Sequence, residues 1–297
     1  MHARSSMRRL LVPATLVGLW ACGQDRASDP PAGHPTTTRR PAESGYREMD
    51  VELGGSLSGR VTWSGDRPAV IVARGGTACP DEVELPVLVV GARGGVRGAV
   101  VVLSGIREGR ARTENEATLR IEGCSAAPHV VAVGVGADGA TLRLENADTV
   151  LHNAHATDPR GATRFDVGLP PEGASVVSLE RPGILRVVDD AGHPSVLAWV
   201  HVIEHPYFAV TDGSGNFRMP AVPAGQYTLQ VWHEGVRSSA VDEDGRPRLS
   251  APIFLSRVVT VVGGQDTAAD FSIDLRTADA AGDGAAGDGA SSPVAAP

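Results

Sequence analysis

Nowhere in this chain of 297 residues does an apolar pattern hold the helical period of about 3.6 residues. Short β-favouring runs recur instead at intervals of roughly ten residues, punctuated by Gly, Asp, Pro and Asn. They fall near 56–63, 87–90, 98–103, 117–121, 129–135, 141–145, 150–156, 174–179, 184–188, 196–203, 207–211, 226–232, 258–262 and 268–273. This spacing allows strands and tight turns and leaves no room for long helices, so the body is predicted to be all-β, with a Greek-key β-sandwich as the default packing. Glycine (36) and proline (21) supply the turns, and 42% hydrophobic content is enough to fill a core. Apolar alternation is clear from Val196 to Ile203, and Leu142 and Leu144 fall on one side of a strand whose other side carries Arg143 and Glu145.

The two ends lack this pattern. Arg4, Arg8 and Arg9 precede an apolar stretch from Leu10 to Trp20. That is a secretory signal over residues 1–21 rather than a membrane span, which needs about 20 apolar residues. The tetrad Leu19-Trp20-Ala21-Cys22 resembles the bacterial lipobox, which implies acylation of Cys22 and a membrane anchor without a transmembrane helix. Gly23 rather than Asp follows it, which points to the outer membrane, with the body facing the periplasm or the cell surface. Residues 22–54 read as a flexible Pro- and Thr-rich linker, and 277–297, with repeated Ala-Gly-Asp-Gly, as a disordered tail. The formal net charge of −8 removes nucleic acid from the expected partners, because phosphate binding needs a basic surface.

Within the body, Gly59-Arg60-Val61, Ala99–Leu103, Thr211-Asp212-Gly213-Ser214-Gly215-Asn216-Phe217 and Val222–Leu229 resemble the carboxypeptidase regulatory-like (transthyretin-like) module, a β-sandwich. Val258–Val261 and Ala268–Ile273 would be its last two strands. Between them, Gly123–Val130, Asn146–His155, His193-Pro194 and Glu204–Thr211 resemble the cupredoxin-like segment of secreted bacterial proteins of plastocyanin-like type. Together the resemblances imply a regulatory-like sandwich from 55–116 and 206–276, with cupredoxin-like strands, 117–205, inserted into it. Such modules are accessory domains, so the implied role is non-enzymatic: a binding or structural protein, with a carbohydrate or protein ligand at its loop tips.

The cupredoxin resemblance also implies a copper position. Type 1 copper is held by two imidazoles and one thiolate, with a weak axial thioether. His152 matches the first imidazole and His193 the second, but the thiolate position falls on Asp189 or Asp190 and the thioether position on Val196. Both sulfurs are missing, so the site reads as degenerate and no cofactor is expected. The alternative is a copper-binding or electron-transfer protein with non-sulfur ligands, in which His152, His193 and Asp189 or Asp190 hold Cu(II) or Zn(II). His155, three residues from His152 on one strand, points to the opposite face, as do Asp189 and Asp190 from each other.

No hydrolase motif is present: there is no Gly-x-Ser-x-Gly and no His-Glu-x-x-His. His201 sits on an apolar strand and reads as a packed histidine; His205-Pro206-Tyr207 and Trp232-His233-Glu234 read as structural. The resemblance finally places Cys79 and Cys124 at cysteine positions outside the copper ligands, and export through an oxidising compartment favours a disulfide between them.

Overall fold

The computed structural model describes residues 45–276. The expected signal, the lipidation at Cys22 and the tail lie outside the described residues. Among those described, helical geometry is confined to a short 3-10 turn at Ala92–Gly94 and the last two residues. All other regular structure is β.

The chain enters with β1 (Gly55–Trp63) and β2 (Val100–Ser104). It then builds β3 (Glu116–Glu122), β4 (Ser125–Ala127), β5 (Val130–Gly134), β6 (Ala140–Asn146), β7 (His152–Thr157), β8 (Thr163–Leu169), β9 (Ala174–Leu179), β10 (Gly183–Asp189) and β11 (Leu197–Ile203). It returns with β12 (Phe208–Val210), β13 (Asn216–Val222), β14 (Gly225–His233), β15 (Ile253–Val261), β16 (Asp266–Ala268) and β17 (Phe271–Ile273). The first and last groups form one sandwich, with sheet orders β12-β2-β14-β15 and β13-β1-β16, β17 also pairing β1. Strands β3 to β11 form a second sandwich, with sheet orders β4-β3-β6-β9 and β5-β11-β10-β7-β8.

Each sandwich has its own core. The first is built on Leu57, Val61, Leu103, Tyr207, Phe217, Met219, Leu229 and Phe271. The second is built on Leu119, Ile121, Leu142, Leu144, Leu169, Leu185, Val200 and Val202. Alternation on β6 is as the sequence predicts: Leu142 and Leu144 are buried while Arg143 is exposed. On β11 both faces are covered. Ala198, Val200 and Val202 enter the second core, whereas Trp199 and Ile203 pack with Val100, Val130 and Trp232 in a seam between the sandwiches.

That seam explains several histidines. His201 lies edge-on to Trp232, ring centroids 4.4 Å apart, and burial pushes its pKa down to about 3, so the ring is neutral. Glu234 is fully buried, accepts a hydrogen bond from Trp199 Nε1 at 2.7 Å and pairs with His129 Nε2. Paired on both sides, the carboxylate can be buried without an unmet demand.

The passage between sandwiches is a narrow neck. Arg112 Nε donates to the Glu204 carbonyl at 2.6 Å and Arg110 Nη2 to the Pro206 carbonyl at 2.7 Å, so the outgoing and returning segments run side by side. The expected linker through residue 54 ends earlier. Tyr46 is buried in the first core, its hydroxyl donating to the Arg110 carbonyl at 2.8 Å, and Arg47–Glu48 pairs in parallel with Glu108–Gly109. One aromatic ring provides the apolar area that the rest of the linker lacks.

Candidate metal centre

Strands β7 and β10 lie antiparallel, with Ala154 opposite Asp189 and His155 opposite Val188. The two-residue period sends His152, Ala154 and Ala156 inward and leaves Asn153, His155 and Thr157 on the outer face. Asp189 closes β10 pointing inward; Asp190 points out. The turn Asp190-Ala191-Gly192, with Gly192 at φ +101°, then brings His193 back over the end of the strand pair.

The inward residues converge. His152 Nδ1 lies 2.5 Å from Asp189 Oδ2, and His193 Nδ1 lies 3.3 Å from the same oxygen. The two rings meet edge to face, centroids 4.5 Å apart. One ligand atom from each of His152, Asp189 and His193 falls within a 4.8 Å set, and all three side chains are buried. Asp189 is fixed from two further directions: Oδ1 accepts from the Ala191 amide at 2.5 Å and Oδ2 from the Asn153 amide at 3.3 Å. His193 Nδ1 is off the line of a hydrogen bond to Asp189, and this buried nitrogen has no hydrogen-bond partner.

Asp148, which the sequence reading passed over, completes the surroundings. Gly123 (φ +59°) and Cys124 (φ +58°) form the two-residue tip of the β3–β4 hairpin, both in the left-handed region. Their amides point the same way and donate to the Asp148 carboxylate at 2.7 and 2.9 Å, an anion nest of two consecutive N–H groups. Asp148 Oδ2 also lies 3.0 Å from His152 Nε2. Burial works to raise the Asp148 carboxyl, but the two amides and His152 outweigh it and hold its pKa below the ordinary value. Burial likewise opposes charging His152, and the carboxylates of Asp189 and Asp148 overcome it, so its pKa stands above the ordinary value. With both ring nitrogens on carboxylates, His152 is an imidazolium. The sequence signal for Asp148 was its place four residues before His152.

The outer face repeats the pairing in an exposed setting. His155 Nδ1 lies 2.6 Å from Asp190 Oδ2 and its Nε2 2.9 Å from Thr163 Oγ1, while Arg246 Nη2 donates to Asp190 Oδ1 at 2.6 Å. Of the two candidates for the thiolate position, the structure brings only Asp189 to His152 and His193.

Above the site, the turn Gly75–Pro80 lies against His193. A Cβ on Gly76 would stand 3.0 Å from His193 Cδ2 and 2.3 Å from the Gly192 carbonyl oxygen, so only glycine fits there. A disulfide joins this turn, through Cys79, to Cys124 beside Asp148.

Residues 184–274 match the model of the carboxypeptidase regulatory-like domain family. Among solved structures, a novel purple cupredoxin from Nitrosopumilus maritimus is similar at 22% identity and TM-score 0.25, covering 29% of this chain and 98% of its own. Amicyanin from Paracoccus versutus is similar at 16% identity and TM-score 0.26, covering 30% and 81%. The copper-containing nitrite reductase of Thermus scotoductus is similar at 16% identity and TM-score 0.27, covering 49% of this chain and 28% of its own. No curated protein matches the chain.

The donor set decides which metals the residues suit. Type 1 copper, which needs a thiolate, does not fit the residues that converge: His152, Asp189 and His193 supply no sulfur, and the sulfur of Cys124 is tied up in a disulfide. A borderline divalent ion does fit, because imidazole and carboxylate suit Zn(II) and ordinary Cu(II) and His193 presents a buried nitrogen that nothing else uses.

Proposed function

We propose that this protein is a non-enzymatic, lipid-anchored envelope protein whose second sandwich binds one divalent ion, Zn(II) or Cu(II), through His152, Asp189 and His193. It is not an electron carrier of the type 1 copper kind. The convergence of the three side chains into one buried set supports this reading. So does the charge balance: two carboxylates and one imidazolium leave the pocket with one negative charge, and a divalent ion that displaces one proton from His152 brings it to neutrality. His152 and His193 offer the imidazole nitrogens, Asp189 the oxygen, and the amides of Ala191 and Asn153 hold that carboxylate in place.

A second reading has its own observation. Both nitrogens of His152 are already satisfied by carboxylates, so a proton holds the network together without any metal. Calorimetric titration of the purified protein with Zn(II) and Cu(II) separates the two. One ion per chain, lost in Asp189→Ala and His193→Ala, is expected. Stoichiometric retention of neither ion would end the metal proposal in favour of the proton-held network. The anchor is tested separately: fatty-acid labelling in cells should vanish in Cys22→Ser.

A further inference from the structure

We propose that the Cys79–Cys124 disulfide masks a sulfur-containing metal site, and that reducing it lets the Cys124 thiolate join His152 and Asp148 around a soft or borderline ion such as Zn(II), Co(II) or Cu(I). The reading above enters only in that His152 is shared between the two sites. A sulfur of Cys124, a carboxylate oxygen of Asp148 and a ring nitrogen of His152 lie within 4.8 Å of one another, and Cys124 and His152 are buried. The sequence assigns Cys124 only to a bridge. Its placement at the hairpin tip, amide on the Asp148 carboxylate at 2.9 Å and carbonyl accepting from Ser195 Oγ at 2.6 Å, holds the sulfur beside the imidazole whether or not the bridge exists.

The bridge does two things at once. It withholds the soft sulfur of Cys124 beside the site, and it holds the turn Gly75–Pro80 over His193, where Gly76 leaves no spare room. Of the two bridged residues, Cys79 is half-buried and Cys124 is buried. A dithiol reductant therefore reaches Cys79 first. Its thiolate attacks the Cys79 sulfur, the S–S bond breaks, and Cys124 leaves as a thiolate next to His152. The second thiol of the reductant then resolves the mixed disulfide, so that the bridge gains two electrons and two protons overall and the reductant becomes a disulfide. When an ion binds, Cys124 forms a sulfur–metal bond and its proton goes to solvent. Thiolate shifts the donor set toward metals that the oxygen and nitrogen ligands alone do not select.

The test uses the full chain carrying Cys22→Ser, so that no other thiol interferes, with Cys79→Ser added to free Cys124 alone. Anaerobic Co(II) is the probe, because it does not oxidise thiols. A thiolate-to-cobalt charge-transfer band is expected in Cys79→Ser, absent from the oxidised Cys22→Ser protein and lost when His152→Ala is added. Zn(II) should also slow alkylation of Cys124 by at least about tenfold. A folded Cys79→Ser protein without the band, or with a band that survives loss of His152, overturns the proposal. Should Cys79→Ser fail to fold by circular dichroism, the Cys22→Ser protein is reduced with a dithiol, freed of it anaerobically by gel filtration before Co(II) is added, and compared with the same protein carrying His152→Ala, in which the band should be lost. Retention of Zn(II) by oxidised protein with no sulfur band in Cys79→Ser would sink this inference alone; a sulfur band with no retention by oxidised protein would sink the preceding reading alone.

Discussion

The imidazole of His152 and the carboxylate of Asp189 meet at 2.5 Å across adjacent antiparallel strands, and neither side chain reaches solvent. Two opposite charges taken out of water in this way are strongly dependent on each other. Asp148 shares the load at the second ring nitrogen, but it is partly open to solvent and also serves the hairpin tip.

Removing Asp189 therefore leaves a buried imidazolium with one partner instead of two. Asp189→Ala is expected to cost roughly 3–5 kcal/mol in the metal-free, oxidised protein, with Asp189→Asn costing less because it keeps a hydrogen-bond acceptor. Denaturant unfolding measures this. A loss below about 1 kcal/mol would mean that the pair does not hold the strand ends together.

Acid should destabilise the fold well before the carboxylates titrate. Burial pushes His201 down to about 3 and His205 to about 4, and it lowers His233 as well. In the unfolded chain these rings charge near pH 6.5, so between that value and roughly 3–4 the unfolded state binds more protons and stability falls with pH. His152 acts in the opposite sense: its raised pKa adds stability that is complete below about 6.5 and is lost as pH rises through its folded value. Three histidines oppose one, so unfolding free energy should drop steadily on acidification from pH 7 to 4. A flat profile over that range would contradict the burial of His201.

The seam between the sandwiches depends on Glu234. Glu234→Ala strands Trp199 Nε1 and His129 in a buried setting and should cost roughly 2–4 kcal/mol, with a red shift in tryptophan emission as Trp199 and Trp232 gain water. An unchanged emission maximum on top of wild-type stability would show that the seam tolerates the loss.

Cys79 and Cys124 should contribute no free thiol in denaturant without reductant. Opening their bridge, which closes a sequence separation of 45, should lower stability by about 4 kcal/mol in the chain-entropy account. Two titratable thiols from these positions would refute the bridge.

Much of this architecture was legible from strand periodicity, and the misses have physical causes. Strand β8 was overlooked although Phe165, Val167 and Leu169 alternate with Arg164, Asp166 and Gly168; it is an edge strand in which only Leu169 is fully buried. Strand β13 contains Pro220, and a proline argues against a strand unless it sits on an edge, which is where β13 lies. The run read as one strand over 268–273 is two, interrupted at Ala269-Asp270, where Asp270 turns its carboxylate to the Arg60 amide. On β11 a sequence shows apolar residues on both faces without saying what covers the second, so the seam could not be foreseen. At the site, His152 and His193 were readable only through the cupredoxin resemblance, which left Asp189 and Asp190 as alternatives, and strand pairing decides for Asp189. Asp148 was not readable, because its role comes from backbone amides of a hairpin tip 24 residues away.

The neck at Arg112 and Glu204 has a kinetic consequence. Pairing of β1 with β16 and β17 joins segments more than 200 residues apart, and β2 with β14 about 126 apart. While residues 116–203 are unfolded, bringing β2 and β12 together means closing a loop of on the order of 100 residues; once they fold, the neck reduces that to roughly ten, sparing about 2 kcal/mol of closure entropy. The interrupted sandwich should therefore wait for the one that interrupts it. Pulse-labelled hydrogen exchange during refolding should protect amides of β6, β10 and β11 before those of β1 and β15, and the reverse order would show that the outer strands find each other without the help of the neck.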